Sequence, residues 1–120
     1  MTNLKEIYKC EICGNIIEII HNGQGKLICC GKEMNLIEEL SDEEGKTEKH
    51  QPIIEENKVK VGSIEHPMTE EHSIEWIEAT KENETAKIFL NPNEKPEAIF
   101  SFKPNTARAY CNIHGLWKNE

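Results

Sequence analysis

The sequence lacks long apolar runs and has no excess of basic residues. Its 120 residues contain 22 Asp and Glu against 14 Lys and Arg, which gives a net charge of −8 with neutral histidines. No segment approaches the ~18 consecutive apolar residues of a membrane-spanning helix. A protein that binds nucleic acid normally presents a clustered basic face, which this composition does not favour. We therefore expect neither a membrane protein nor a nucleic-acid-binding protein.

Aromatic residues are also few, at 6% of the chain, and hydrophobic residues total 37%. A chain this short buries a small fraction of its surface, and such chains often add a metal or disulfides. Residues 1–6 contain no apolar signal-peptide core, so we expect a cytoplasmic protein. Because the cytoplasm is reducing, the five cysteines are better candidates for metal ligands than for disulfides.

The cysteines and the charges indicate two modules. Four of the five cysteines fall within residues 1–30, and one lies near the other end of the chain. Residues 37–47 carry five acidic side chains and one lysine, which predicts an exposed acidic linker. The modules on either side of it are expected at residues 1–36 and 48–120.

Short apolar runs that end at Pro, Gly or Asn predict an all-β fold, and no segment shows a helical period over ten or more residues. In the second module their spacing is typical of a β-sandwich or barrel. In the first module the pattern predicts three short strands around the cysteine turns. The aromatic residues on the strands are interpreted as packing residues; they are Trp76, Phe89, Phe100, Tyr110 and Trp117.

Four cysteines form two pairs whose spacing predicts a metal site. Cys10 and Cys13 share a tight loop that ends in a glycine, and Cys29 and Cys30 follow about one hairpin later. Four thiolates favour zinc or a single iron ion in tetrahedral geometry. Because neighbouring side chains on a strand point to opposite faces, Cys29 and Cys30 can share an ion only if the chain turns there, which Gly31 favours. A structural zinc site, an iron site and, less favourably, a disulfide stay open from spacing alone.

A second cluster of possible ligands lies in the second module. Cys111 precedes His114 by three residues, and His50, His66 and His72 lie earlier in the same module. Imidazole and thiolate ligands suit zinc, copper and iron. Loops at one end of a β-sandwich can bring such residues together, although an isolated histidine is more often a surface or core residue. These residues predict a second metal site without establishing it.

The motifs that carry these residues resemble those of a known family. Residues 8–15 and Cys29-Cys30-Gly31 look like the desulforedoxin-type N-terminal domain of desulfoferrodoxin. The signatures of its second domain are similar to Glu48-Lys49-His50-x-Pro52 and to residues 61–68, 71–77 and 110–117. The match runs in order from about residue 5 to residue 118, and departures fall in loops such as 81–85. The chain is identified as a member of the two-iron superoxide reductases.

This resemblance implies a fold, two cofactors and a reaction. The fold would be a small rubredoxin-type domain followed by an immunoglobulin-like β-sandwich. Each chain would hold two mononuclear non-haem irons, one of which reduces superoxide to hydrogen peroxide with electrons from a rubredoxin-type donor. The chain would form a cytoplasmic homodimer through its N-terminal domains. The ligands would be Cys10, Cys13, Cys29 and Cys30 for the first iron, and His50, His66, His72 and His114 with axial Cys111 for the second.

The resemblance also gives roles to two charged residues. Lys49 would steer superoxide to the second iron and help to protonate the product through water. Glu48 would bind the ferric iron after peroxide leaves. Without the resemblance, both residues are interpreted as solvated charges beside an acidic linker.

Two other functions compete with the enzyme. The chain could be a rubredoxin-like electron-transfer protein, or a binding module with two structural zinc ions. A pure electron carrier needs no open coordination position, and a closed structural site normally uses four ligands. The five candidate ligands of the second module therefore favour the enzyme.

Overall fold

The computed structural model describes all residues from Met1 to Glu120, and nearly all of its regular structure is β-strand. The expected all-β fold is confirmed. Its one helix, α1, is a single turn at Thr47–His50. No helix is long and apolar enough to cross a membrane. The chain forms two compact units, Met1–Glu38 and Glu39–Glu120.

The first unit is a three-stranded antiparallel sheet with a short hairpin beside it. The sheet has the order β2-β1-β5, and the hairpin pairs β3 with β4. Their bounds are β1 Ile7–Lys9, β2 Ile16–Glu18, β3 Ile28–Cys29, β4 Lys32–Glu33 and β5 Asn35–Ile37. The buried side chains of this unit include Ile7, Ile19 and Met34, which is a small core for 38 residues.

The second unit consists of a five-stranded sheet and a three-stranded sheet around one core. The strand orders are β10-β9-β12-β13-β6 and β11-β8-β7. The first sheet contains β6 Glu39–Leu40, β9 Ile74–Lys81, β10 Glu84–Phe89, β12 Thr106–Cys111 and β13 Gly115–Lys118. The second sheet contains β7 Pro52–Glu55, β8 Lys58–Val61 and β11 Glu97–Ile99.

The core of this unit follows from period-two alternation on the strands. Ala107, Ala109 and Cys111 on β12 all face the core, together with Val59 and Val61 on β8. A register shift between Tyr110 and Cys111 interrupts the pairing of β12 with β9 at the end of the strand. Bulges of this kind re-aim side chains beside functional sites. Here the irregularity lies at a candidate metal ligand.

The predicted acidic linker, residues 37–47, includes structure that belongs to the second unit. Glu39 and Leu40 form β6, which pairs in parallel with β13. The Glu39 carboxylate also accepts a bond of 2.9 Å from Arg108 Nη1. One acidic residue of this segment, Glu39, therefore takes part in an ion pair, which the composition alone did not indicate.

The face of the five-stranded sheet that points away from the core carries a cluster of buried charged side chains. Arg108 contacts both carboxylate oxygens of Glu78, at 2.6 and 3.0 Å, and Lys87 donates to Glu78 at 2.8 Å. Burial would raise the pKa of Glu78, but its hydrogen bonds with Arg108 and Lys87 lower it to about 2.

The prediction that Phe89 is a packing residue is wrong, because its side chain is 72% exposed at the end of an edge strand.

Candidate metal centres

The four cysteines of the first unit converge on one point. Their sulfurs all lie within 4.8 Å of one another, with 3.5 Å between Cys13 and Cys29 and 4.0 Å between Cys29 and Cys30. Four sulfurs bound tetrahedrally at ~2.3 Å from one ion lie about 3.8 Å apart, so the donor set fits a tetrathiolate metal. Cys30 and Gly31 both have positive φ, at 53° and 75°. The chain therefore turns between the adjacent cysteines, as a shared ion requires.

Backbone groups prepare this site for an anionic sulfur. The Cys13 N–H points at Cys10 Sγ at 3.5 Å, and this contact is the main reason why the pKa of Cys10 is lowered to about 6. Cys10 is buried, whereas Cys13 and Cys30 are exposed. The tetrathiolate site is therefore buried at Cys10 and open to solvent at Cys13 and Cys30.

The second set of ligands comes from segments far apart in sequence. His50 ends α1, His66 follows β8, and His72 precedes β9. Cys111 ends β12, and His114 lies in the turn before β13. Four of the five therefore lie in loops or at the end of a strand of the second unit, and His50 lies at the end of its single helical turn.

The four imidazoles occupy the corners of a square. Neighbouring ring centroids are 4.7 Å apart for His50–His66, His66–His72 and His50–His114, and 5.1 Å apart for His72–His114. The separation of His50 from His72 is longer, at 6.4 Å, as the diagonal of a square requires. Neighbouring rings are steeply inclined to one another, with interplanar angles of 68° to 82°.

In His50, His66 and His72, the Nε2 atom has no hydrogen-bond partner outside the four rings. His50 Nδ1 donates to the Lys46 carbonyl at 2.8 Å, and His66 Nδ1 donates to the Pro67 carbonyl at 2.6 Å. The Nε2 atoms of His66 and His72 are buried without any partner. His50 Nε2 lies 3.0 Å from His114 Nδ1, which is the separation of two nitrogens held at right angles, each ~2.1 Å from one ion. Unpartnered buried nitrogens around one point fit a metal ion.

Cys111 completes the donor set from the side of the core. Its side chain is fully buried, and its Sγ lies 3.9 Å from His114 Nδ1. The His114 N–H points at this sulfur at 3.4 Å. Burial raises the pKa of the Cys111 thiol, and a bound metal removes that proton outright. The ligand atoms of Cys111, His50, His72 and His114 lie within 4.8 Å of one another, and the His66 ring occupies the remaining corner.

Burial keeps the imidazoles in the form that binds metals. It lowers the pKa of His66 to about 4 and also lowers the pKa of His50 and of His114. These three rings are therefore neutral near pH 7, and each has a lone pair available for a metal. The site is prepared for a cation before one binds.

Trp117 contacts two of these ligands. The sequence analysis interpreted it only as a packing residue and did not predict these contacts. Its ring stacks on His50 at 5.0 Å between centroids, and its Nε1 donates to the His114 carbonyl at 3.1 Å. Trp117 is fully buried, so it also packs as expected. No sequence signal distinguished it from the other aromatic residues.

Glu48 and Lys49 lie in α1 directly before His50, and both side chains are exposed. The Glu48 carboxylate is not part of the ligand cluster. The backbone of this segment is fixed to the loop that leads to His66, because Ile64 N–H donates to the Glu48 carbonyl at 3.0 Å and Gly62 N–H donates to the Gln51 carbonyl at 3.0 Å. Both residues thus precede a candidate ligand on a hydrogen-bonded stretch of backbone, with their side chains exposed to solvent.

Comparisons with known proteins agree on one family for both units. The family model for desulfoferrodoxin matches residues 42–120, and that for the desulfoferrodoxin N-terminal domain matches residues 2–37. The chain is 50% identical over 126 residues to a desulfoferrodoxin of Nitratidesulfovibrio vulgaris, covering 100% of this chain and 99% of the relative. It is 38% identical to a superoxide reductase of Pyrococcus horikoshii, covering 71% of this chain and 96% of the relative. The crystal structure of the superoxide reductase from Treponema pallidum superposes with a TM-score of 0.78 at 25% identity, covering 96% of each chain.

Proposed function

The chain belongs to the desulfoferrodoxin family, and from this premise we propose that it is a superoxide reductase that converts superoxide to hydrogen peroxide. The reaction consumes one superoxide, one electron and two protons for each peroxide. The observation that supports it is the square of four imidazoles with a buried thiolate beside it. Five such donors leave one position of a six-coordinate ion open for a small anion.

The ligand set suits an anionic substrate. A ferrous ion held by His50, His66, His72, His114 and Cys111 would supply the single electron that superoxide takes up. The four imidazoles are neutral ligands, so the Cys111 thiolate offsets only one of the two charges of that ion. The local potential is then positive although the whole chain carries −8, and local potential governs the approach of a small anion.

Lys49 and Glu48 are the two charged residues to which we assign roles. Lys49 attracts superoxide and relays protons through water, because its exposed ammonium lies one residue from a ligand. Glu48 closes over the centre after the product has left. Its exposed side chain and fixed carbonyl support such a movement, since the carboxylate can turn without displacing the backbone.

The first unit serves as an accessory electron-transfer site with a single tetrathiolate iron. Its exposed Cys13 and Cys30 favour electron exchange with another protein, for which a reduced rubredoxin is our candidate. The same exposure also favours the second candidate function, a rubredoxin-like electron carrier without turnover. That function gives no role to the five donors of the second unit.

We also propose that the protein is a cytoplasmic homodimer. None of the five cysteines forms a disulfide, and tetrathiolate ligands need a reducing compartment. The first unit exposes several large apolar side chains for its size, which supports its pairing with a second copy; they include Ile12, Ile20, Ile28 and Leu36.

Metal analysis combined with a visible spectrum tests the proposed centres. Ferric iron bound by thiolate absorbs visible light and zinc does not, so we expect two irons per chain and two ferric bands that disappear on mild reduction. Cys111→Ser should remove only the band of the second centre. Zinc in both sites, with no visible band, would contradict the proposed function.

A further inference from the structure

His72 lies in a segment without regular secondary structure. Residues 71–73 belong to no strand or helix, and the His72 side chain is half-buried. Loops of this kind are usually more mobile than the elements that they connect. A ligand here needs contacts that fix its position relative to the other four.

The Asn112 side chain contacts the peptide groups on both sides of His72. Asn112 Nδ2 donates to the Glu71 carbonyl at 2.9 Å, and Ser73 N–H donates to Asn112 Oδ1 at 3.0 Å. The Asn112 backbone N–H donates to the Ser73 carbonyl at 3.2 Å. Because Asn112 directly follows Cys111, these three hydrogen bonds connect the His72 loop to the Cys111 ligand.

Thr69 binds the peptide groups of His72 itself. His72 N–H donates to Thr69 Oγ1 at 3.1 Å, and the His72 carbonyl accepts from Thr69 N–H at 2.9 Å and from Thr69 Oγ1 at 3.2 Å. Every backbone polar group from the Glu71 carbonyl to the Ser73 carbonyl therefore has a partner, supplied by Asn112 or Thr69. The loop is irregular but fully hydrogen-bonded.

We propose that Asn112 and Thr69 are positioning residues that hold His72 in the square of ligands and fix its distance to Cys111. This inference rests on the proposed function only in assigning the site to superoxide reduction. We call these two residues the clamp, and they act on the ligand and not on the substrate. Hydrogen-bond partners that orient ligands typically contribute about 10- to 100-fold in metal affinity or activity, and these residues hold the peptide groups that carry one ligand.

The test is the rate at which the reduced, iron-loaded full-length protein transfers ferrous iron to a chelator. Asn112→Ala removes both side-chain bonds and should accelerate release from the second centre by about 10-fold or more. Asn57→Ala is the matched control. Its Nδ2 donates across segments to the Phe100 carbonyl at 3.1 Å, at the turn between β7 and β8, so that variant should release iron at the wild-type rate.

A second pair of variants decides the question if Asn112→Ala folds poorly. Thr69→Val keeps the shape and removes the hydroxyl, so it should also accelerate release, whereas Thr69→Ser keeps the hydroxyl and should restore the wild-type rate. Thr69 is exposed, so neither change disturbs the core. Release at the wild-type rate from both Asn112→Ala and Thr69→Val would overturn the proposal.

Activity is measured separately on the same samples. If the wild-type protein does not reduce superoxide but Asn112→Ala still loses iron faster, the proposed function fails and the clamp stands. If the wild-type protein is active and both variants release iron at the wild-type rate, the clamp fails and the function stands.

Discussion

At the scale of single residues, two imidazoles of the second centre use one nitrogen for the protein and leave the other for a metal. His50 and His66 use Nδ1 to bind the carbonyls of Lys46 and Pro67, which leaves Nε2 for a metal. Such partners fix the tautomer and the ring orientation. The sequence predicted histidine as the residue type, but it could not predict which nitrogen faces the metal, because the carbonyls that decide this are brought there by the fold.

Lys49 gives the first prediction at this scale. Lys49→Ala should slow the bimolecular reaction with superoxide about ten-fold and weaken its salt dependence, because an exposed charge acts on the encounter with an anion. Both irons should stay bound, and Lys49→Arg should keep most of the rate. Stopped-flow mixing at several ionic strengths measures all of these quantities.

Lys103→Ala is the matched control for Lys49. Lys103 pairs with Glu56 at 3.0 Å, at the turn that precedes β8, whereas His66 lies beyond the other end of that strand. This variant should react at the wild-type rate. An equal rate and salt slope in Lys49→Ala and the wild type would make Lys49 an ordinary surface charge.

Glu48 gives the second prediction. Glu48→Ala should alter the visible spectrum of the ferric protein and leave the rate of superoxide reduction within about two-fold, because the carboxylate closes only after the product has left; this is well under 1 kcal/mol in the barrier. Glu44→Ala, which removes another exposed acid of the same segment, should change neither. If the rate fell as far as it does in His72→Ala, Glu48 would belong to the reaction itself.

At the scale of elements, the turn after β8 is what holds the Glu48–Lys49 segment in place. Gly62 has φ +86°, and a Cβ there would lie 2.8 Å from the Glu48 carbonyl oxygen and 2.9 Å from the Lys49 carbonyl carbon. It would also overlap the Ile64 carbonyl oxygen. Gly62 is thus required twice, by its backbone angle and by the close approach of two chain segments.

A pair of glycines separates these two requirements and gives the third prediction. Gly45 has φ +83° with no atom within 4 Å of the position that a Cβ would take, whereas Gly62 has the overlap as well. Gly45→Ala should cost about 1 kcal/mol of stability from backbone strain. Gly62→Ala should cost about 2 kcal/mol more, since overlap of well-packed atoms adds to the strain, and it should slow superoxide reduction. Thermal unfolding and stopped-flow mixing measure both effects; equal losses in the two variants would contradict the role given to close approach.

The strands differ in how well the sequence predicted them. The short apolar run from residue 107 to 111 predicted a strand, and it forms β12, whose alanines face the core. The two-residue strand β6 was not predicted, since its pairing with β13 and the ion pair of Glu39 with Arg108 depend on residues about 70 positions away. The clamp by Asn112 was missed for the same reason: Cys-Asn-x-His indicates two ligands, but not that the amide between them reaches residues 71 and 73.

At the scale of the whole molecule, the two centres lie in separate units. The tetrathiolate ligands all fall within Met1–Glu38, and the histidines and Cys111 all fall within Glu39–Glu120. The division into two modules could be predicted from the clustering of cysteines. The square of histidines could not, because it requires segments from four parts of the chain to meet.

Site independence is the fourth prediction. Cys13→Ser should lose the tetrathiolate iron and keep superoxide reduction largely intact, because neither ligand set borrows a residue from the other unit. Iron content, the visible spectrum and the rate with superoxide are compared with those of Cys111→Ser, which should show the reverse pattern. Loss of the second iron in Cys13→Ser would mean that the two centres depend on each other.

The product balance of a single turnover tests superoxide reduction at the second centre most directly. The fully reduced protein is mixed with a known amount of superoxide, and iron oxidation, hydrogen peroxide and dioxygen are measured together. We expect one peroxide and one oxidised iron of the second centre for each superoxide consumed, with no dioxygen released. Release of dioxygen with half as much peroxide would indicate dismutation, and superoxide decay at the rate seen without protein would contradict the proposed reaction altogether.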